Sequence, residues 1–226
     1  PTRYNSGVRT RIKICGITNA EDASVVVDAG ADGIGLMFYK RSSRFVSIQQ
    51  VIEIAEKVPP LVDLVGVFVD PLEEEVNAVL DRAPLSILQF HGNESAEFCE
   101  GFGKPYIKAM RMSDQIDPEM ESLTHPKAGA FLLDTFNPDA HGGTGETFEW
   151  SRARANLTSP IILAGGLTAD NIGMALSVSN AWGVDTSSGV EKTPGVKDPQ
   201  KIAAFCRAVR EWDRNSHDNL AERMSH

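Results

Sequence analysis

Short β-branched runs alternate with helix-like segments along most of this chain. Strands are predicted at residues 11–15, 33–38, 64–69, 86–89, 106–110, 130–134, 161–164 and 183–186. Helices are predicted at residues 20–29, 48–57, 72–81, 95–101, 114–123, 148–156, 168–177 and 198–212. The strands recur about every 24 residues, which is enough for one strand, one helix and two short loops.

Eight such units favour an α/β fold with a single (β/α)8 barrel, the TIM-barrel architecture. A doubly wound open sheet is the alternative, although it typically has fewer strands. The chain of 226 residues lies at the compact end of the barrel range. We expect a short extension at residues 1–10 and a catalytic barrel at 11–212. Residues 213–226 are polar and lack apolar periodicity, so we predict a disordered tail there.

Charge and cysteine content exclude several classes of partner. The chain has 22 basic and 31 acidic residues, and the net charge of -9 argues against binding to nucleic acid or to anionic membranes. No apolar run approaches the roughly 18 residues of a membrane span. Cys15, Cys99 and Cys206 are too far apart for a disulfide framework or a metal site, which favours a cytoplasmic location.

Three reactive side chains stand at predicted strand ends, where the active site of such a barrel lies. Alternation along the first strand places Cys15 opposite the apolar Ile12 and Ile14 and therefore inside the barrel. The same alternation along the sixth and eighth strands points Asp134 and Asp185 into the barrel. One thiol and two carboxylates are therefore expected to lie close together there. The structural alternatives are a small buried cysteine and loop-capping carboxylates.

Two glycine-containing loops follow the seventh and eighth strands, the usual phosphate-binding position in this fold. Gly165 and Gly166 lie in one, and Ser188 and Gly189 in the other. Glycine lets backbone amides approach an anion closely, although ordinary turn glycines are the alternative. A third glycine run at residues 142–145 is either a mobile lid or a surface turn.

Two further polar side chains are candidates for ligand binding. Arg44 follows the second strand, and its guanidinium suits a carboxylate held by two hydrogen bonds; a solvated run of surface charge is the alternative. His91 ends the fourth strand and either orients a ligand or serves a structural role. The histidines show no metal-ligand spacing, so we predict no metal site.

Several ordered motifs together resemble the phosphoribosylanthranilate isomerase family of tryptophan biosynthesis. They are KICGIT at residues 13–18, QFHG at 89–92, LLDT at 132–135, GGTG at 142–145, GGL at 165–167 and DTSSGVE at 185–191. The resemblance extends from about Arg11 to Val209.

This resemblance implies a cofactor-free Amadori rearrangement of N-(5-phosphoribosyl)anthranilate to 1-(2-carboxyphenylamino)-1-deoxyribulose 5-phosphate. By position, Asp134 matches the family's general acid and Cys15 its general base. Arg44 matches the residue that binds the anthranilate carboxylate, and Asp185 matches a carboxylate near the substrate amine and hydroxyls. The phosphate cradle is expected around Gly166, Ser188 and Gly189, with Gly165 beside it and His91 as a further substrate contact.

A thiol must ionise to accept a proton, whereas a carboxylic acid must stay protonated to donate one. Lys13 lies on the same strand face as Cys15, so we hypothesise that its charge favours the thiolate. The expected partner is a small phosphosugar-anthranilate substrate, bound by a monomer or homodimer.

Three other functions remain as alternatives. Histidine-pathway sugar isomerases use related barrels, but an aspartate is expected there at the position of Cys15. Indole-glycerol-phosphate synthase needs a lysine and glutamate set that Lys108 alone does not supply. A phosphosugar-binding protein without activity would need neither Cys15 nor Asp134.

Overall fold

The structure is a computed structural model that describes residues 9–113, 115–134, 150, 152–155, 157 and 159–224. Eight parallel strands pair in chain order, and the eighth pairs with the first. The sheet is therefore a closed barrel, which confirms the predicted (β/α)8 class and excludes the open sheet. In the described part of the chain, no helix is long and apolar enough to span a membrane.

The strands and helices lie close to the predicted positions. The barrel strands are β1 (Arg11–Cys15), β2 (Gly33–Met37), β3 (Asp63–Phe68), β4 (Ile87–Phe90), β5 (Tyr106–Arg111), β6 (Ala130–Asp134), β7 (Ile161–Ala164) and β8 (Gly183–Thr186). The helices are α1 (Ala20–Asp28), α2 (Ile48–Ala55), α3 (Glu73–Leu80), α4 (Ala96–Glu100), α5 (Pro118–Ser122), α6 (Ile172–Ser179) and α7 (Pro199–Met224), with 3₁₀ turns at Arg152–Arg154 and Ser188–Val190. The helix predicted at residues 148–156 falls partly outside the described residues.

The strands separate two apolar layers. Outward-facing side chains such as Ile14, Leu133 and Val184 are buried in the large core beneath the helices. A smaller cluster fills the inside of the barrel and comprises Val65, Ile107, Ala109, Ala130, Leu132, Ile162 and Ala164. Because side chains alternate along each strand, Cys15, Asp134 and Asp185 face the interior at the carboxyl ends of β1, β6 and β8.

A capping box fixes the start of α2, directly after the loop that carries Arg44. Ser47 Oγ accepts a hydrogen bond from the Gln50 amide at 3.3 Å, and Gln50 Oε1 accepts one from the Ser47 amide at 3.0 Å. Gln50 Nε2 also donates to the Thr18 carbonyl at 3.1 Å. These bonds tie the loop after β2 to the loop after β1.

Helix α7 continues to Met224, so the prediction of a disordered tail from residue 213 is wrong over residues 213–224. Asp213 anchors this helix just past Trp212. Its carboxylate accepts hydrogen bonds from the Thr10 amide at 3.1 Å and the Thr10 hydroxyl at 2.6 Å. This polar contact joins the helix to the start of β1, and a search for apolar periodicity does not detect it.

A short antiparallel hairpin, not predicted from the sequence, follows β8. Its strands are β9 (Glu191–Thr193) and β10 (Val196–Lys197). Gly195 lies in the turn with φ of +83°, and a Cβ there would lie 2.6 Å from the Ser43 carbonyl oxygen. Glycine therefore lets the hairpin pack against the loop after β2.

Candidate active site

The mouth of the barrel holds a buried ion pair that includes the candidate Asp185. Lys13 Nζ donates to Asp185 Oδ1 at 2.9 Å, and the two side chains are 7% and 9% exposed. The pairing follows from strand register, because Lys13 and Asp185 are direct partners across β1 and β8. Burial alone would lower the pKa of Lys13, but the charges of Asp185 and Cys15 outweigh it and raise that pKa. Lys13 is thus a fixed cation inside the barrel.

Cys15 lies beside this cation in the space that Gly35 leaves. A Cβ at Gly35 would lie 2.7 Å from Cys15 Sγ and 3.0 Å from Lys13 Nζ. Burial raises the pKa of the Cys15 thiol and Asp185 adds to the rise, whereas Lys13 and Lys197 lower it. Lys13 therefore lowers the pKa of Cys15, in the direction that the hypothesis requires. The effect of burial is larger than that of the two lysines, so the pKa of Cys15 is above its usual value.

Lys13→Met is expected to move the pH midpoint of Cys15 alkylation upward, because the variant loses a charge that lowers the pKa of the thiol. Iodoacetamide labelling across pH, with the Cys15 peptide quantified by mass spectrometry, measures the shift. Asp185→Asn removes a charge that raises the same pKa and should move the midpoint downward. Lys127→Met is the control, since Lys127 is exposed and pairs with Glu100.

An unchanged Cys15 midpoint in a folded Lys13→Met protein would rule out this electrostatic role. Cys99 and Cys206 do not confuse the measurement, because the Cys15 peptide is quantified separately from the peptides that carry them. Burial raises the pKa of Cys99 to about 12 and that of Cys206 to about 11.

Asp134 ends β6, and its carboxylate contacts His91. The distance from His91 Nε2 to Asp134 Oδ2 is 3.4 Å. On the other side of the ring, Gln89 Nε2 lies 3.4 Å from His91 Nδ1. If the amide donates to Nδ1, a neutral ring carries its proton on Nε2, facing the carboxylate. The buried Gln89 was not among the predicted site residues, although alternation along β4 points it into the barrel.

Arg44 is held by a carboxylate that sequence reasoning did not select. Arg44 Nε and Nη2 donate to the two oxygens of Glu191, each at 2.7 Å. Lys197 Nζ donates to the same carboxylate at 2.9 Å. A Cβ on Gly16, the residue after Cys15, would lie 2.5 Å from Arg44 Cδ, so the arginine stem crosses the end of β1. Arg44 therefore lies next to the end of the strand that carries Cys15.

The glycine loops after β7 and β8 contact each other. Thr186 Oγ1 donates to the Leu167 carbonyl at 2.7 Å. A Cβ at Gly189 would lie 1.9 Å from that same carbonyl oxygen, so only glycine fits there. Gly165 and Gly166 have φ of +94° and +64°, in the left-handed region that favours glycine.

The structure brings the two predicted loops together, with Ser188 at the start of its 3₁₀ turn. The glycine run at residues 142–145 lies outside the described residues. Among those described, no group of three or more His, Cys, Asp or Glu side chains could hold a metal ion.

Comparison with known proteins places this geometry in a family. Residues 12–208 match the family model of N-(5'-phosphoribosyl)anthranilate isomerase. The isomerase of Pseudomonas fluorescens is 50% identical over 200 residues, covering 88% of this chain and 95% of the relative. An isomerase of Pseudomonas aeruginosa is 47% identical over 205 residues, covering 91% and 97%.

Solved structures agree with the sequence relatives. The phosphoribosylanthranilate isomerase of Thermotoga maritima has a TM-score of 0.81 and 37% identity, covering 89% of this chain and 99% of the other. An isomerase in complex with reduced 1-(o-carboxyphenylamino)-1-deoxyribulose 5-phosphate has a TM-score of 0.78 and 35% identity, with the same coverage. The chain belongs to the N-(5'-phosphoribosyl)anthranilate isomerase family.

Proposed function

We propose that this protein converts N-(5'-phosphoribosyl)anthranilate to 1-(2-carboxyphenylamino)-1-deoxyribulose 5-phosphate in tryptophan biosynthesis. The observation that carries the proposal is the convergence of Cys15 and Asp134 inside one barrel mouth, in a chain of this family. One side chain can accept a proton as a thiolate, and the other can donate one as a carboxylic acid. An aldose-to-ketose rearrangement needs both steps.

Asp134 donates a proton to the ring oxygen of the ribose, and the bond from that oxygen to the anomeric carbon breaks. The anilino nitrogen supplies its electron pair, which gives an open-chain iminium. The thiolate of Cys15 then removes the proton from C2 of the sugar and forms an enolamine. The enolamine tautomerises to the ketone, and one proton passes from the thiol through solvent to Asp134 and resets the site.

The remaining residues bind the substrate. Arg44 holds the anthranilate carboxylate, and Asp185 and His91 face the amine and hydroxyls of the sugar. Backbone amides of the loops that contain Gly165, Gly166, Ser188 and Gly189 hold the phosphate. We place the reaction in the cytoplasm, where reducing conditions keep Cys15 as a thiol.

The test follows the fluorescence of freshly generated anthranilate adduct. Adding the protein is expected to accelerate the loss of fluorescence over spontaneous decay and to yield a product of unchanged mass. Borohydride reduction of that product should give the compound named in the solved complex. No acceleration by a folded protein that binds this reduced compound would leave a phosphosugar-binding protein and contradict the proposal.

A further inference from the structure

Glu191 occupies the centre of a three-residue cluster at the edge of the site. It is 6% exposed and accepts hydrogen bonds from Arg44 on both oxygens and from Lys197 on one. Burial alone would raise the pKa of Glu191, but these bonds hold it below its usual value. The carboxylate is therefore ionised, and a bond from Lys201 Nζ to its backbone carbonyl at 2.8 Å further fixes its place.

The contact determines which edge of the Arg44 guanidinium is available to a ligand. A guanidinium presents five N–H donors in a rigid plane. Glu191 takes the edge formed by Nε and Nη2. The second bidentate edge, formed by Nη1 and the other N–H of Nη2, points away from Glu191. A carboxylate can be gripped there by two parallel hydrogen bonds.

The net charge of the cluster also suits a ligand with one carboxylate. Burial lowers the pKa of Lys197, while its bond to Glu191 opposes that change. With Lys197 protonated, Arg44 and Lys197 bring two positive charges and Glu191 brings one negative charge, which leaves a single positive charge. A ligand carboxylate neutralises it. Without Glu191, two neighbouring cations would repel each other across the site, and the arginine would lose its bidentate anchor.

The cluster also joins two loops that are distant in sequence. Glu191 and Lys197 belong to the β9–β10 hairpin, and Arg44 belongs to the loop after β2. Lys197 Nζ donates to the Ser187 carbonyl at 3.0 Å, which holds the hairpin against the end of β8. Thr18 Oγ1 donates to the Gly195 carbonyl at 3.4 Å from the loop after β1. Arg44 is thus positioned by a structure that begins 147 residues later in the chain.

We propose that Glu191 is a positioning residue that orients Arg44 and thereby makes the site selective for a ligand with one aromatic carboxylate. This inference rests on the proposed function of Arg44. Glu191 itself does not touch the substrate, so its effect appears in selectivity for the carboxylate.

The experiment compares the affinities of two ligands. One is reduced 1-(o-carboxyphenylamino)-1-deoxyribulose 5-phosphate, and the other is the same compound without the carboxylate. Glu191→Gln places an amide donor against the guanidinium, so the arginine must rotate. Titration calorimetry is expected to show about a tenfold fall in the affinity ratio of the two ligands. With substrate, KM should rise about tenfold while kcat changes less than about threefold.

Glu191→Asp tests whether the position of the carboxylate matters as well as its negative charge. It keeps the negative charge but shortens the side chain by one methylene, so it cannot reach Arg44 with both oxygens. The affinity ratio of the two ligands should again fall. Glu53→Gln makes the same glutamate-to-glutamine change at an exposed position on α2 and should leave this ratio unchanged.

Arg44→Met distinguishes the proposed role of Arg44 in binding the carboxylate from the role of Glu191 in positioning Arg44. If wild type and Arg44→Met show the same ratio, the proposed role of Arg44 fails and the inference fails with it. If Arg44→Met loses selectivity but both Glu191 variants keep or increase it, the positioning role of Glu191 alone is overturned. In the Arg44→Met background, Glu191→Gln should cause no further fall in the ratio.

Discussion

Cys15→Ser is expected to lower kcat/KM by about 10²- to 10⁴-fold, the usual contribution of a positioned general base. An alcohol is a far weaker acid than a thiol, so a serine here does not ionise, whereas Lys13 can stabilise the anion of the cysteine. Serine differs from cysteine by one atom and leaves the hydrogen-bonded surroundings in place. Initial rates of fluorescence loss measure the change, and affinity for the reduced product analogue reports whether the site is intact.

The pH dependence gives this prediction a second test. Because the pKa of Cys15 is raised, the thiolate fraction grows as the pH rises toward that pKa. With a ring-opened substrate analogue, which needs no proton from Asp134, wild-type kcat/KM should grow with that fraction. The serine variant should lack this rise. A serine variant that keeps more than about a tenth of wild-type kcat/KM would contradict the assignment of Cys15 as the base.

Asp134→Asn is expected to cause a loss of similar size, about 10²- to 10⁴-fold in kcat/KM. An amide cannot deliver a full proton to the ring oxygen, so the sugar stays closed. Asparagine can still accept a hydrogen bond from His91, whose Nε2 lies 3.4 Å from the carboxylate in wild type. The variant should therefore remain folded and bind the reduced product analogue.

Asp28→Asn is a matched control, because Asp28 is exposed at the end of α1. It should retain wild-type rates. A ring-opened substrate analogue separates the two chemical steps: Asp134→Asn should handle it better than the closed substrate, and Cys15→Ser should not. Equal losses of Asp134→Asn on both substrates would contradict its role as the acid in ring opening.

The positions of Cys15, Asp134 and Asp185 could be predicted because each lies at or next to the carboxyl end of a strand with clear alternation. Once the strands are placed, parity decides which side chains face the barrel interior. The net pKa of Cys15 could not be predicted in this way. It depends on how completely the barrel mouth is buried, a property that strand parity does not contain.

Glu191 and Lys197 were not predicted as site residues, for a different reason. They lie on strands of three and two residues, which are too short to produce a periodic pattern. Glu191 does lie within the DTSSGVE motif, directly after Val190, whose side chain is fully buried. A charged residue directly after a buried apolar residue was the available signal. Its two cationic partners, 147 residues earlier and 6 residues later, emerge only in the fold.

The closure of the barrel also affects how a nascent chain reaches this structure. The first strand pairs with the last, and Thr10 bonds to Asp213, which lies 203 residues later. At synthesis rates of about 5–20 residues per second, those two residues leave the ribosome roughly 10–40 s apart. Throughout that interval β1 has one row of unpaired backbone groups, the feature through which sheets join other chains. Protection of this open edge during translation is therefore a requirement of the fold itself.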